Sequence, residues 1–431
     1  MTKRTSRSQT VLIGLALLLT PFSDFPIQNT PLGFLGASPS FIPLALLICI
    51  FAVGFLFNKN FLPISVLLAI LWTGVVGAYG LLVYGTNFLD ENLLDKGIRL
   101  TVLLLLFLLP FVLTYERKVL RYAGLGAMSI LLGGVIWIDM LGDTMFLHGS
   151  PNSNMRPRSF TLESSHLSMV VIALTTLTIS TLARPIFQIV VGLAGFAVLV
   201  YSGSKGGLAV LIAGCALLVI FYFFYALFSG RLSRWIRYTV PLFLLGGFAL
   251  GYLSHRVVDS LANDLEQYTS SATRVTLGLS SLWVLSQHPL GVGTTGYLPA
   301  LVENIPIAIR TLEVYSPIKL NFDEIQGYIT AQSDKEISTK SFFFDGIIYF
   351  GLPFALTFVV ATFWLLKSLF SRREWVLFVG SASLILGLMV FSGGLGLYAI
   401  SFALAWAKAR AIVADGVPKA SFASPRSNSI Q

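Results

Sequence analysis

Two ionisable residues at the start of an apolar run could do acid–base chemistry. Glu163 and His166 are three positions apart, so a helix beginning there would present both on one face. A positioned carboxylate can take a proton from a hydroxyl group, and Glu163 is therefore the candidate general base, with His166 and Asp345 as reserves. As an alternative, Glu163 could cap its helix and His166 could be a packing residue.

Cations recur just outside the apolar runs, at one level of the predicted topology. Ionisable groups near hydrocarbon cost about 2.5–3.5 kcal/mol at a helix centre, so those present usually face a cavity or a partner. A diphosphate needs two or more such cations, since Arg offers a bidentate fork and Lys a point charge. The sequence therefore predicts a basic hollow beside a carboxylate. Its cations are Arg156, Arg158, Lys205, Arg274 and Lys340.

A turn of small residues, Ser202–Gly207, adds hydrogen-bond donors to this predicted hollow. The turn precedes an apolar run, so its backbone N–H groups and the Ser204 hydroxyl would lie at a helix N-terminus, where phosphate binds favourably. His288 and Asp345 complete the candidate substrate-binding residues. As alternatives, Lys205 could reach the lipid headgroups, and His288 could have only a structural role before a proline.

The composition places the chain in a membrane. The 431 residues are 55% hydrophobic and 11% charged, whereas a soluble domain carries about 25% charged residues. Several apolar runs reach the roughly 20 residues that cross a bilayer, and their unbroken character excludes a transmembrane barrel. The net charge of +9 comes mostly from short basic clusters between these runs, which argues against nucleic-acid binding. No Walker or dinucleotide motif is present, and neither a metal nor a cofactor is expected.

The apolar runs predict an all-α polytopic membrane protein with about twelve transmembrane helices and a large external loop between spans nine and ten. Within that loop, residues 275–286 predict an apolar helix that is too short to span and instead packs on the bundle or lies at the interface. The candidate spans are residues 10–22, 41–57, 61–84, 98–115, 119–139, 164–183, 185–201, 206–229, 239–253, 341–366, 375–391 and 394–410.

The placement of charge predicts the orientation. With a cytoplasmic N-terminus, the cytoplasmic side holds 18 of the 29 basic residues and 3 of the 20 acidic ones, which matches the positive-inside bias. Both termini are then cytoplasmic, and the candidate site is on the outer side. The predicted organisation is helices one to nine over 1–253, a loop capping the site over 254–340, helices ten to twelve over 341–412, and a disordered cytoplasmic tail over 413–431.

Four segments together resemble the O-antigen ligase and O-antigen polymerase superfamily of bacterial inner membranes. They occur in that family's order, and each is loose on its own. Two positions depart from its pattern, because Lys205 stands where Arg is usual and Lys340 where His is frequent. The segments are Arg158–Glu163, Tyr201–Gly207, Arg274 with Trp283 and His288–Thr294, and Lys340–Ser341 with Gly351–Pro353.

The resemblance implies a metal-independent glycosyltransferase of the bacterial inner membrane with a periplasmic active site. Its substrate would be a glycan on undecaprenyl pyrophosphate, and its acceptor a sugar or a second lipid-linked glycan. Membrane lipid and a chain-length regulator protein would be further partners. The resemblance implies that Glu163 takes the proton of the acceptor hydroxyl, while four cations offset the negative charge on the pyrophosphate. These cations are Arg158, Lys205, Arg274 and Lys340.

Three functions remain open from the sequence. A polymerase would extend a repeat unit into an O-antigen, capsule or exopolysaccharide, and the weaker match at Lys340 favours this function. A ligase would transfer the finished glycan to lipid A core. A transporter of polyprenyl-linked sugars would carry charges or broken helices near the bilayer midplane, whereas here the charges are predicted at the outer rim.

Overall fold

The computed structural model describes most of the chain and is mostly helical. The predicted ninth span, the predicted tail after residue 413 and the first part of the predicted external loop lie outside the described residues. The described residues are 7–25, 27, 38–58, 64–88, 91–140, 157–228, 269–316, 320–329, 338–390, 392–393 and 395–413.

Fourteen α-helices and one two-residue hairpin are found within the described ranges. The hairpin pairs β1 (Asn87–Phe88) with β2 (Glu91–Asn92) in antiparallel register. A 3₁₀ segment, Leu109–Val112, continues α4, and a π-helical segment, Val135–Met140, continues α5. The helices are α1 (Arg7–Leu18), α2 (Phe41–Asn58), α3 (Ile64–Tyr84), α4 (Leu93–Leu108), α5 (Arg117–Gly134), α6 (Ser164–Thr181), α7 (Pro185–Tyr201), α8 (Lys205–Phe228), α9 (Thr269–Gln287), α10 (Gly293–Tyr315), α11 (Asp323–Ile329), α12 (Phe342–Ser371), α13 (Trp375–Val390) and α14 (Tyr398–Val413).

Each predicted span that falls on described residues overlaps a helix. Four of these helices are long and apolar enough to cross a membrane, and five shorter apolar helices accompany them. The helical membrane class is therefore confirmed, while the number of twelve spans and the external loop stay predictions. The four candidate spans are Arg117–Asp139, Ser164–Thr181, Lys205–Phe228 and Phe342–Ser371.

Helix α6 is the centre of the bundle. It contacts α5, α7, α8, α13 and α14, and residues 167–174 are all buried. Its threonines face glycines on three neighbours: a Cβ added at Gly124, Gly195 or Gly380 would lie 2.9, 2.1 or 2.1 Å from a threonine hydroxyl of α6. Small residues let membrane helices approach closely, and this packing holds α6 against α5, α7 and α13.

Helices α9 and α10 form a second packed unit against the side of the bundle. α10 lies on α3 and α4, and the Thr295 hydroxyl donates to the Gly77 carbonyl oxygen at 2.6 Å. α9 lies between α10 and α12, with Leu277, Tyr297 and Ile348 in a shared apolar core. The predicted apolar helix at 275–286 is thus confirmed as part of α9, and it packs on the bundle.

A break at Gly351 divides α12 into two helical parts. Gly351 has φ +65° and ψ −149°, a backbone conformation that strongly favours glycine. An added Cβ there would lie 2.2 Å from the Pro289 carbonyl oxygen, which accepts a hydrogen bond from the Leu352 N–H at 2.8 Å. The turn after α9 therefore fits into the break, and α9 runs beside the first part of α12.

Candidate functional site

Glu163 stands at the N-cap position of α6, but its side chain makes no capping hydrogen bond. Its Oε1 atom instead accepts a hydrogen bond from the Ser165 hydroxyl at 2.5 Å and lies 3.8 Å from His166 Nε2. The Glu163 side chain is 43% exposed. The carboxylate is therefore accessible and turned along the face that it shares with His166, as the three-residue spacing predicts.

Arg274 of α9 and Lys340, just before α12, act electrostatically on this carboxylate. Burial works to raise the pKa of Glu163, but the charge of His166, the Ser165 hydroxyl and the charges of Arg274 and Lys340 lower it below its ordinary value. Three segments that are more than 60 residues apart in sequence thus lie within electrostatic reach of one another. Glu163 stays ionised at neutral pH as a result.

Glu324 of α11 connects Lys340 to α9. Lys340 Nζ lies 2.7 Å from Glu324 Oε1, and the Thr273 hydroxyl donates to Glu324 Oε2 at 3.2 Å. The two charged side chains are 31% and 15% exposed, respectively. Glu324 therefore extends the site, which we call the charged cluster: Glu163, His166, Arg274, Glu324 and Lys340.

Arg274 has unused hydrogen-bonding capacity. Its Nε atom is buried and, within the part of the chain that the structure describes, has no hydrogen-bond partner. A buried donor without a partner costs about 1–3 kcal/mol, so this N–H is a candidate donor to a bound ion, water or ligand. The fork of an Arg side chain fits a phosphate or carboxylate.

Arg158, in the segment before α6, forms a buried ion pair. Its guanidinium is 3.5 Å from Asp24 Oδ2, and the two side chains are 7% and 1% exposed. Burial lowers the pKa of Arg158, and the charges of Asp24 and Asp139 oppose that effect. The side chain therefore ties the segment before α6 to the segment that follows α1, and its predicted contact with a diphosphate stays a prediction.

Asp139, in the π-helical end of α5, fixes the backbone at the same place. Its carboxylate accepts hydrogen bonds from the backbone N–H groups of Arg158 and Ser159 at 3.0–3.2 Å. Ser159 has φ +47°, which is strained for a residue with a side chain. These hydrogen bonds hold the turn that precedes Glu163, the N-cap residue of α6.

The turn at 202–207 lies against the first turns of α6. The Ser204 hydroxyl donates to the Ser168 hydroxyl oxygen at 3.2 Å and accepts from the Gly207 N–H at 3.2 Å. Ser204 is thus buried as the cap of α8 and supports α6. Lys205 begins α8 with an exposed side chain.

His288 stands apart from the charged cluster. It follows α9, 14 positions after Arg274, which corresponds to about 20 Å along a helix. Tyr79 and Tyr84 hold its two ring nitrogens at 3.1 and 3.4 Å. Burial lowers the pKa of His288, while Glu303 raises it. One diphosphate cannot contact both Arg274 and His288, so the two ends of α9 belong to different surroundings.

Asp345 is buried one turn into α12. Its Oδ1 atom accepts hydrogen bonds from the Tyr297 hydroxyl at 2.6 Å and from the Thr339 hydroxyl and N–H at 2.6 and 3.2 Å. The residue is 4% exposed. Its predicted substrate contact stays a prediction, and so does that of Arg156, which lies outside the described residues.

Sequence reasoning missed the carboxylates that pair with the cations. Asp24, Asp139 and Glu324 were not candidates, although Asp24 and Asp139 stand at the ends of apolar runs, where an ionisable residue usually has a partner. The sequence cannot say which cation each of them meets. Arg158 and Asp24, for example, are 134 positions apart.

The charged cluster combines an accessible carboxylate, two nearby cations and an imidazole. Such a group can bind an anion through Arg274 and Lys340 while Glu163 accepts a proton from a neutral hydroxyl group. Among the described residues, no group of three or more His, Cys, Asp or Glu side chains is arranged to hold a metal ion.

A bacterial protein is similar to this chain along most of its length. The chain is 26% identical over 400 residues to a protein of Klebsiella pneumoniae described as an uncharacterized 49.5 kDa protein in the cps region. The alignment covers 90% of this chain and 89% of that protein. No protein-family model matches the chain.

Proposed function

We propose that this chain is a membrane glycosyltransferase that polymerises oligosaccharide repeats carried on undecaprenyl pyrophosphate. The observation that supports it most is that Arg274 and Lys340 lie within electrostatic reach of the exposed Glu163 carboxylate in the charged cluster. The sequence resemblance to O-antigen polymerases and ligases supplies the substrate class. A site of this kind suits a donor whose leaving group is a diphosphate and whose acceptor is a hydroxyl.

In the proposed reaction, an acceptor sugar hydroxyl attacks the anomeric carbon of the donor sugar. The new C–O bond forms as the bond to the diphosphate breaks, and the diphosphate leaves with the electron pair. Glu163 takes the hydroxyl proton. Arg274 and Lys340 stabilise the charge that develops on the departing oxygen, and the unpartnered Nε of Arg274 offers a donor for it.

Glu163 suits the role of base through its surroundings. Its lowered pKa keeps it ionised at neutral pH, and its exposure leaves room for a sugar beside it. A carboxylate that is ionised before the hydroxyl arrives can act without a prior proton loss. The Ser165 hydroxyl and His166 hold Oε1, which leaves Oε2 to face the acceptor.

The polymerase is favoured over the ligase by the genetic setting of the relative. The abbreviation cps denotes capsule polysaccharide, so the Klebsiella protein is encoded among genes of that pathway. A capsule is built by extending repeat units, whereas a ligase needs a lipid A core acceptor. The ligase stays the alternative, and the transporter is less favoured.

One reconstitution experiment tests the proposal. The purified full-length chain in liposomes is given undecaprenyl-pyrophosphate oligosaccharide, first alone and then with a lipid A core acceptor. We expect a ladder of longer glycans without the acceptor. One new product that depends on the acceptor would identify a ligase. If no new glycosidic bond forms in either reaction, the proposed glycosyltransferase function is wrong.

The matched control is Glu163→Gln in the same liposomes. The amide keeps the size of the side chain but cannot accept the proton, so we expect the ladder to disappear while the protein elutes and unfolds like wild type. A ladder of wild-type intensity would remove Glu163 from the mechanism.

A further inference from the structure

Lys340 has a backbone conformation that its residue type disfavours. Its φ is +57°, in the left-handed region that residues with a Cβ rarely adopt. Strained residues persist only where the surroundings force them, and they concentrate at functional sites. The contacts of the residues next to Lys340 must therefore hold its backbone in this conformation.

The residues on either side of Lys340 are fixed to three helices. The Thr339 N–H donates to the Tyr297 hydroxyl oxygen at 3.0 Å, which attaches the segment to α10. The Ser341 hydroxyl caps α12 by accepting from the Phe344 N–H at 3.3 Å, and it donates to the Met389 carbonyl oxygen of α13 at 2.7 Å.

Asp345 joins these attachments into one network. Its Oδ1 atom accepts from the Tyr297 and Thr339 hydroxyls, each at 2.6 Å, and from the Thr339 N–H. Thr339, Tyr297 and Asp345 are 1%, 2% and 4% exposed, so water cannot replace the partners. Buried polar groups with all partners in place are rigid.

Lys340 itself extends out of this buried network. Its side chain is 31% exposed and reaches Glu324, which the Thr273 hydroxyl holds next to Arg274. The backbone is thus fixed from below while the ammonium group is presented to the charged cluster. A Lys side chain has four flexible carbons, so its position depends on where its backbone is held.

We propose that Tyr297, Thr339 and Asp345 form a positioning network that holds Lys340 in its left-handed conformation and directs its ammonium group into the charged cluster. Asp345 is then a positioning residue and not a base. It acts through Thr339 and touches neither substrate nor diphosphate. Its consequence for catalysis, though not its geometry, rests on the proposed function.

Residue-specific acylation of lysine tests the network without any assay of activity. The full-length protein in detergent is treated briefly with acetic anhydride, and the acylation rates of Lys340 and Lys205 are measured by mass spectrometry. In Thr339→Val, which keeps the size but removes the hydroxyl, we expect Lys340 to react several-fold faster. Thr339→Ser restores the hydroxyl and should react like wild type.

Two further variants and an internal reference complete this test. Asp345→Asn and Tyr297→Phe should accelerate Lys340 as Thr339→Val does, and Glu324→Gln is the positive control because it removes the partner of the ammonium group. Lys205, exposed at the start of α8, should not change. An unchanged Lys340 rate in folded Thr339→Val would overturn the proposal, and so would equal acceleration of both lysines.

The kinetic arm separates this inference from the proposed function. With the lipid-diphosphate donor, we expect Thr339→Val to raise KM more than it lowers kcat, and Thr339→Ser to leave both near wild type. If the wild-type protein transfers no glycan, the proposed function fails, and the acylation rates still decide the positioning network. If wild type is active and Thr339→Val keeps its KM, the network does not serve the reaction.

Discussion

The two ends of the helical bundle use cations in different ways. At the end where α14 ends, Arg and Lys side chains donate hydrogen bonds to backbone carbonyl oxygens near the ends of helices. Arg117 Nε donates to the Thr181 carbonyl oxygen at 3.0 Å, and Arg372 donates to the Arg410 carbonyl oxygen at 2.8 Å. Arg410 in turn pairs with Glu374. Basic residues commonly satisfy the last carbonyls of helices, and these cations stabilise the fold.

At the end where α6 begins, cations of the same types lie within electrostatic reach of an accessible carboxylate. Arg274 keeps a buried Nε without a hydrogen-bond partner among the described residues, and Glu163 is 43% exposed. Residue type alone therefore does not identify a site. What distinguishes this end is hydrogen-bonding capacity that the fold itself leaves unused.

The largest expected difference between the two ends is in the rate of glycan transfer after loss of a carboxylate. Glu163→Gln should lower the rate by about 10²- to 10⁴-fold, because general base catalysis is lost. Glu374→Gln removes a carboxylate from the other end and should leave the rate near wild type. Both rates are measured as ladder formation in liposomes. Equal losses would erase the distinction between the ends.

The second-largest expected difference between the two ends is in kcat/KM after an Arg side chain is replaced. Arg274→Gln should lower kcat/KM for the lipid-diphosphate donor by about 10²- to 10³-fold, because a donor to the leaving oxygen is removed. Arg274→Lys keeps the charge without the fork and should recover part of the loss. Arg117→Gln is the matched variant at the other end. It should lower the unfolding temperature and spare kcat/KM, and the reverse pattern would contradict the comparison.

Arg158 is five positions from Glu163 in sequence, but its side chain is paired within the fold, as the cations at the other end of the bundle are. Asp24→Asn removes its buried partner and should lower the free energy of unfolding by about 3 kcal/mol. Asp95→Asn breaks the exposed pair with Arg99 and should change it by less than about 0.5 kcal/mol. Thermal unfolding measures both. Similar shifts would mean that the Arg158 pair is not buried in the folded protein.

The strained backbone of Lys340 predicts an unusual order of stability. Lys340→Gly should be more stable than Lys340→Ala by about 1 kcal/mol, since glycine adopts a positive φ without cost. Lys408 lies inside α14 at the other end, so Lys408→Gly should be less stable than Lys408→Ala by about 1 kcal/mol. The same pair of substitutions thus has opposite signs, and equal signs in thermal unfolding would contradict the conformation of Lys340.

The smallest expected effect is a change in the pH dependence of the rate. Burial raises the pKa of Glu163, and neighbouring charges, Lys340 included, lower it overall. The ionised base therefore persists to lower pH in wild type, and activity falls only as the pH drops through that lowered pKa. Lys340→Met should raise the pKa and move the acid limb of the pH–rate profile to higher pH. Lys367→Met, far from Glu163 in sequence, should leave the limb in place.

Much of the helical layout could be predicted from the sequence, because apolar runs of membrane length have few alternatives. The break in α12 was not predicted. Gly351 and Pro353 are visible in the sequence, but the turn at Pro289 that fills the break comes from a segment some 60 positions away.

The candidate site was predicted in part. Glu163 and His166 follow from helical spacing, whereas the approach of Arg274 and Lys340 depends on how α9 and α12 pack. Arg274 and His288 stand near opposite ends of α9, so the binding of one substrate by both stays a prediction. The pairing of Arg158 with Asp24 depends on contacts between distant segments, which periodicity does not encode.

The residues of the charged cluster come from two parts of the fold, the closely packed α6 and the helices outside it. Glu163 directly precedes α6, which packs closely against α5, α7 and α13, whereas Arg274 and Glu324 come from α9 and α11, which pack outside that core. Under the proposed function, replacing α9 to α11 on an unaltered bundle is therefore the way to seek new sugar preferences while Glu163 keeps its place at the start of α6.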